Sequence, residues 1–138
     1  MQAAITPNGS LVMNQRTRTG ERQFSWSHDD GATWSAPTTK PFAFSGKYGG
    51  GGCEGSSIAV GDSGLLLFST PFAQGRANMS VFGSRTGGAS WELVQNVDPG
   101  PSAYSALVDL NATHYGLAWE TENYGSITFA ALPLPASE

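Results

Sequence analysis

The sequence predicts an all-β chain, and three observations carry that expectation. No window sustains apolar residues at the i, i+3, i+4, i+7 spacing of an amphipathic helix. Short apolar runs recur instead, separated by turn signals. Eighteen glycines and eight prolines supply many chain reversals, while 39% hydrophobic residues and the lack of any low-complexity tract favour a packed domain over a disordered one.

Taken in order, PNGS (7–10) and GDSG (61–64) read as tight turns. Each feeds an apolar run, LVM (11–13) and LLLF (65–68). Further strands are expected at RQFSWS (22–27), NMSVFGS (78–84), ELVQNV (92–97), YSALVDL (104–110), YGLAWE (115–120) and SITFAAL (126–132). The turn residues DDG, TGG, NAT and NYG separate several of them. The result is an antiparallel meander.

The meander repeats. A turn, an apolar strand, a polar loop carrying an arginine, a second strand, an S-x-x-x-G-x-x-W turn and a third strand occur over 8–35 and again over 62–92. A third unit, 104–132, keeps the strands and lacks that turn. A period of roughly fifty residues with several strands per unit points to propeller blades. Two to three units fall short of the roughly four to eight blades that close a ring. The whole chain, 1–138, is therefore expected to be part of one propeller domain, with exposed sheet edges at both cuts.

Charge and composition exclude several function classes. A net charge of −4 with no basic run argues against nucleic acid as a partner. No apolar stretch is long enough to span a bilayer, and MQAAITPNGS shows no signal peptide. Cys53 is the only cysteine, so no internal disulfide forms, and it reads as a small buried hydrophobe. His28 and His114 are isolated and lack metal-ligand spacing, so no zinc site is expected. Trp26, Trp91 and Trp119 read as sheet packing, and Arg18 and Arg22 as surface charges.

The S-x-x-x-G-x-x-W turns are SHDDGATW, with Ser27, Asp29, Gly31 and Trp34, and SRTGGASW, with Ser84, Thr86, Gly88 and Trp91. Each residue type has a local reason. An aspartate accepts from backbone N–H groups of its own turn, and a threonine does so more weakly. Glycine permits a positive φ. Tryptophan folds back to close the hairpin. The motif resembles the Asp box of sialidases and related propellers. The first copy matches in full and the second is degenerate. On that resemblance both boxes are structural and lie away from any active site.

A second stretch narrows the expectation. DPGPSAYSAL (98–107) resembles the G-P-S-x-Y-S-x-L segment of exo-α-sialidases of the glycoside hydrolase family 33 type, whose tyrosine is the catalytic nucleophile. The resemblance makes Tyr104 that nucleophile. Arg16 in LVMNQRTR matches the second arginine of the sialidase triad, and Arg76 in QGRANMSV the third. Glu120 in GLAWE matches the late glutamate that supports the first arginine. GGGGCEGSS (49–57) is similar to the family's C-Q-G-S segment, with Glu54 in place of glutamine, which makes Glu54 a candidate pocket-lining residue.

The chemistry explains these residue types. Sialic acid carries a carboxylate on its anomeric carbon, and guanidinium forks bind a carboxylate through paired charge-assisted hydrogen bonds. A neutral tyrosine escapes the repulsion that an anionic Asp or Glu nucleophile would meet there, so the family departs from the two-carboxylate scheme of most glycosidases. A phenol of pKa about 10 needs a base to become nucleophilic. In the family that base is a glutamate.

The family's glutamate belongs to an E-x-Q stretch, and counting from Gln2 it falls one position before Met1. The first arginine and the aspartate acid/base lie farther upstream in the family. Asp29, Asp30, Asp62, Asp98 and Asp109 do not match the acid/base segment. The resemblance thus implies the C-terminal half of a six-bladed propeller, without its N-terminal half, from a secreted or cell-surface retaining exo-α-sialidase. Its partners would be sialylated glycans, with no metal or organic cofactor, and the isolated chain is expected to show little or no hydrolysis. The rival expectations are a non-catalytic carbohydrate-binding propeller and an interaction module with open blade edges.

Overall fold

The computed structural model describes residues 1–17, 21–39, 53–73 and 75–136; Arg18 and the glycines at 49–52 lie outside these. Among the described residues nine strands run in chain order: β1 (Gln2–Ile5), β2 (Leu11–Arg16), β3 (Arg22–Ser27), β4 (Ser56–Val60), β5 (Leu65–Pro71), β6 (Ala77–Ser84), β7 (Glu92–Asn111), β8 (His114–Thr121) and β9 (Ser126–Pro133). The one helical element among the described residues is a 3-10 turn, Glu122–Tyr124. All strand pairs are antiparallel.

The strands form a three-stranded sheet, β1-β2-β3, and a six-stranded one, β4-β5-β6-β7-β8-β9. The larger sheet is two blades joined by one strand. The first half of β7 pairs with β6, and from Ser102 onward it pairs with β8. Pro99 and Pro101 sit at this change of partner. A proline has no N–H to give a ladder, so a handover between partners is where it fits best. The chain thus builds a β1–β3 blade, a four-stranded middle blade and a β7–β9 blade.

The middle blade is packed on both faces. Along β5 every residue is buried, and alternate side chains go to opposite cores. Leu65 and Leu67 join Met79, Val81, Leu107, Tyr115, Leu117 and Trp119. Leu66 and Phe68 join Ala4, Val12, Phe24, Phe82 and Trp91. This explains the unbroken LLLF run: a strand covered on both faces loses the apolar–polar alternation of a half-exposed one. The second core is largely aromatic, with Trp91 at 5.5 Å from Phe24 and 5.9 Å from Phe68, centroid to centroid.

β1, β4 and the second half of β7 are each the first strand of a blade, and cross-blade hydrogen bonds link them. Ser57 N donates to Gln2 Oε1 at 2.8 Å, and Leu107 N donates to Ser56 Oγ at 3.0 Å. First strands meeting side by side, with blade faces stacked behind them, is the propeller arrangement.

The two S-x-x-x-G-x-x-W turns match in their bonding. Thr33 N donates to Asp29 Oδ1 at 2.8 Å, and Ser90 N donates to Thr86 Oγ1 at 2.9 Å. Gly31 N and Gly88 N donate to Ser27 Oγ and Ser84 Oγ. Trp34 and Trp91 donate their indole N–H to Gly31 O and Gly88 O. The two glycines hold φ at +90° and +89°, which side chains rarely adopt. Trp26 ties the first blade to the second box by donating to Gly87 O at 2.8 Å.

Candidate functional site

Strand polarity separates the boxes from the candidate catalytic residues. β3 runs from Arg22 to Ser27 and β6 from Ala77 to Ser84, each ending at a box. Arg16 ends β2 opposite Arg22, and Arg76 immediately precedes β6. Strands of this length put about 20 Å between the two ends.

At the end away from the boxes, the structure brings Arg16, Arg76, Tyr104, Glu120 and Glu54 together. Arg16 Nη1 donates to Tyr104 Oη at 3.3 Å. The Arg76 guanidinium lies 5.6 Å from the centre of the Tyr104 ring. Tyr104 N donates to Glu120 Oε2 at 3.0 Å, and Ser105 N donates to Glu54 Oε2 at 3.4 Å.

The backbone gives a reason for this geometry. Ser102 pairs with Thr121 and Ser105 with Trp119, so Ala103 and Tyr104 together face Glu120 alone. This is a β-bulge. It takes Tyr104 out of the regular ladder, and the Glu120 carboxylate receives the N–H. Bulges re-aim side chains; here Ala103 is buried, while Tyr104 is 45% exposed and faces the arginines. Asp98 braces the same strand. It accepts from Trp119 Nε1 at 3.0 Å, Thr121 Oγ1 at 3.2 Å and Gly100 N at 2.8 Å. The Trp119 bond, followed by that from Gly100, holds its carboxyl below the ordinary aspartate range.

Arg22 differs from the sequence expectation. It is buried, not a surface charge. Its guanidinium donates to Asn14 Oδ1 at 3.2 Å and to the Cys53 carbonyl, and it lies 5.1 Å from the Phe68 ring centre. Register explains the burial. Arg22 shares a face with Val12, Asn14 and Phe24, all of which point into the core. Burial pulls its pKa down to about 10, opposed by the charge of nearby Glu54. It therefore remains a cation at neutral pH. Cys53 is buried as well, and burial pushes its thiol pKa up despite the positive charge of Arg76.

Gly55 lets this layer close up. A Cβ there would lie 2.5 Å from the Phe68 ring and 2.8 Å from Ser69 O. The segment carrying Cys53 and Glu54 thereby lies flat on β5.

Tyr124, which sequence reasoning treated as part of a turn, also reaches the cluster. Arg76 Nη1 donates to Tyr124 Oη at 3.0 Å. Burial acts to lower the Arg76 pKa; the Tyr124 hydrogen bond and nearby Cys53 and Tyr104 outweigh it, and the net shift is upward. A cleft of about 60 Å³ opens between Arg76, Ser102, Glu120 and Tyr124. That is room for a carboxylate or a water or two, not for a whole sugar. His28 bonds Ser10 Oγ at 2.7 Å and His114 bonds Thr113 Oγ1 at 2.9 Å. Among the described residues no group of three His, Cys, Asp or Glu is placed to hold a metal, and no helix is long and apolar enough to cross a membrane.

Fold and site together define a class, part of a sialidase-type β-propeller, and comparison with known proteins agrees. A Hadza microbial sialidase superposes with a TM-score of 0.74 at 30% identity, over 96% of this chain and 27% of that one. The intramolecular trans-sialidase of Ruminococcus gnavus, solved with oseltamivir carboxylate, gives 0.68 at 26%, over 91% and 28%. NanB sialidase of Streptococcus pneumoniae gives 0.68 at 22%, over 87% and 20%, a likeness of fold. The chain thus spans between 20% and 28% of these structures' own length. No curated protein matches it in sequence. Residues 1–117 match the BNR repeat-like domain, and the chain belongs to that family.

Proposed function

We propose that this chain supplies the nucleophile and two carboxylate-binding arginines of a retaining exo-α-sialidase. The observation that carries the reading is the meeting of Arg16 and Arg76 on one exposed tyrosine, Tyr104. Two guanidinium groups beside a phenol make an anion site with a nucleophile at its edge. The Ruminococcus gnavus relative was solved with a carboxylate ligand, which suits such a site.

In this reading the sialoside carboxylate lies between Arg16 and Arg76. The Tyr104 oxygen attacks the anomeric carbon, forming a C–O bond as the bond to the leaving alcohol breaks. The phenol proton passes to a carboxylate base, and a carboxylic acid protonates the leaving oxygen. Water then displaces Tyr104 and restores the phenol. Arg16, bonded to Tyr104 Oη, stabilises negative charge on that oxygen. Glu120 fixes the Tyr104 backbone and is suited to orienting a further arginine. Glu54 borders the pocket beside Ser105. In this reading the base, the acid and the first triad arginine that the resemblance calls for come from outside these 138 residues.

Turnover of a fluorogenic α-sialoside by the full-length protein containing this chain tests the reading. Tyr104→Phe is expected to lower kcat by at least about a thousandfold, as loss of a covalent nucleophile does. Arg16→Lys and Arg76→Lys are expected to raise KM roughly ten- to a hundredfold, since lysine cannot form the planar fork. Sialoside binding without turnover would instead identify a carbohydrate-binding propeller. Turnover that survives Tyr104→Phe would sink the mechanism.

A further inference from the structure

Six non-glycine residues among the described ones adopt a left-handed φ. One, Asp30, belongs to the first box. The other five are Arg76 and Asn78, at φ 59° and 62°, and Glu122, Asn123 and Tyr124, at 50°, 53° and 70°. They fall in two segments that flank the same cluster. Three consecutive non-glycine residues in this region are uncommon, because each Cβ crowds the following carbonyl. Such strain persists only where surrounding contacts over-determine it, and it gathers at functional sites.

The contacts that hold the second segment are visible. Ser126 Oγ donates to Glu122 Oε2 at 2.6 Å, and Gly125 N donates to Glu122 O at 3.1 Å. Their consequence is the position of Tyr124. Its side chain is 62% exposed, so burial of the ring does not account for the strained turn. What the turn achieves is to bring the phenol oxygen 3.0 Å from Arg76 Nη1. Arg76 is itself held in a left-handed conformation and borders Tyr104. The two strained segments therefore meet through one hydrogen bond, at the guanidinium beside the Tyr104 ring.

We propose that Tyr124 is a positioning residue, which fixes the Arg76 guanidinium in the orientation that receives an anionic ligand. An arginine side chain carries substantial rotamer freedom, and a fixed acceptor removes part of it before binding. The proposal rests on the sialidase reading for the identity of the ligand. It goes further in assigning Tyr124, a residue remote in sequence from Arg76, to substrate affinity.

The test uses the full-length protein, the fluorogenic α-sialoside, and Tyr124→Phe, which keeps the ring and deletes only the oxygen. The expected result is a KM about five- to tenfold higher, with kcat within about twofold and an unchanged melting temperature. That size falls within the net contribution of a typical intramolecular hydrogen bond, and a rise in KM alone marks loss of uniform binding. In an Arg76→Lys background the same change is expected to add little, since the two residues then no longer act as a pair. A KM within about twofold of wild type would overturn the proposal. So would an equal KM increase in the Arg76→Lys background, or a loss of activity that tracks a loss of thermal stability. Failure of the wild-type protein to turn over any sialoside would instead count against the sialidase reading and be seen before any variant is made.

Discussion

Arg22 is the residue whose placement most changes the reading of the site. It stands across the β2–β3 ladder from Arg16, so two like charges share one face. They diverge in use. Arg16 reaches outward to Tyr104, while Arg22 turns inward to Asn14, the Cys53 carbonyl and the Phe68 ring. The inner arginine thus anchors the segment that carries Glu54, and Glu54 in turn meets the backbone beside Tyr104. Replacing Arg22 with methionine would leave Asn14 Oδ1 and Cys53 O without this donor in a buried layer. The expected loss is about 2 kcal/mol of stability, read as a lower urea midpoint. Lysine is expected to restore only part of it, because a point charge cannot span both acceptors and stack on the ring as a planar guanidinium does. An unchanged midpoint for Arg22→Met would show that the buried fork is not structural. Sequence alone did not disclose this. An isolated arginine at a strand start looks like any solvated charge, and only the register with Val12, Asn14 and Phe24 turns it inward. Arg16, Arg76, Tyr104 and Glu120 were legible because they follow a family pattern in order and spacing. Tyr124 was not, because its role depends on backbone conformation rather than residue pattern.

At the scale of elements, the two boxes make a natural comparison, since they share hydrogen bonds and differ in charge. Asp29 accepts from Thr33 Oγ1, Thr33 N and Ser27 Oγ. The Thr33 side-chain bond, then the Thr33 backbone bond and the Ser27 bond, pull its pKa down from the ordinary aspartate value to about 2. A carboxyl whose folded pKa is depressed adds stability that is present above its unfolded pKa and lost as pH falls toward the folded one. The first box is therefore expected to weaken between about pH 4 and pH 2. The second box, with Thr86 in the same place, has no group there that titrates in that range. Asp29→Asn should flatten the acid limb of a melting-temperature profile. Thr86→Val should lower the whole profile without changing its slope over that same acid range. Solvent exposure screens Asp29, so the slope change is expected to be small but of this sign. An Asp29→Asn variant with an unaltered acid limb would contradict the assignment. Strands were legible in proportion to their apolar content. The run at 22–27 coincides with β3, whereas β1 (QAAI) and β4 (SSIAV) are short and rich in small residues and gave no signal. β7 reads as two strands because DPGPSA interrupts it, yet the chain stays extended through the prolines and merely changes partner.

For the whole molecule, the decisive contrast is between the middle blade, covered on both faces, and the β7–β9 blade, covered on one. Leu107, Tyr115, Leu117 and Trp119 face the middle blade and are buried. On the opposite face Val108, Leu110, Ile127 and Phe129 are 45%, 42%, 78% and 58% exposed. β9 alternates between the two environments along its length, so this is one continuous apolar face rather than scattered side chains. In a sialidase-type propeller a blade face of this kind stacks on another blade. Residues 1–138 produced by themselves leave it in water, where apolar sheet surface of this kind drives association. The isolated segment is therefore expected to self-associate at tens of micromolar, seen as concentration-dependent sedimentation. Ile127→Ser with Phe129→Ser should shift it toward monomer, with the Tyr115–Leu117 core on the other face left in place. The same double substitution in the full-length protein should lower stability instead, because there the face would be an internal blade contact. Monomeric sedimentation of the unmodified segment at these concentrations would contradict the assignment of this face as a blade contact.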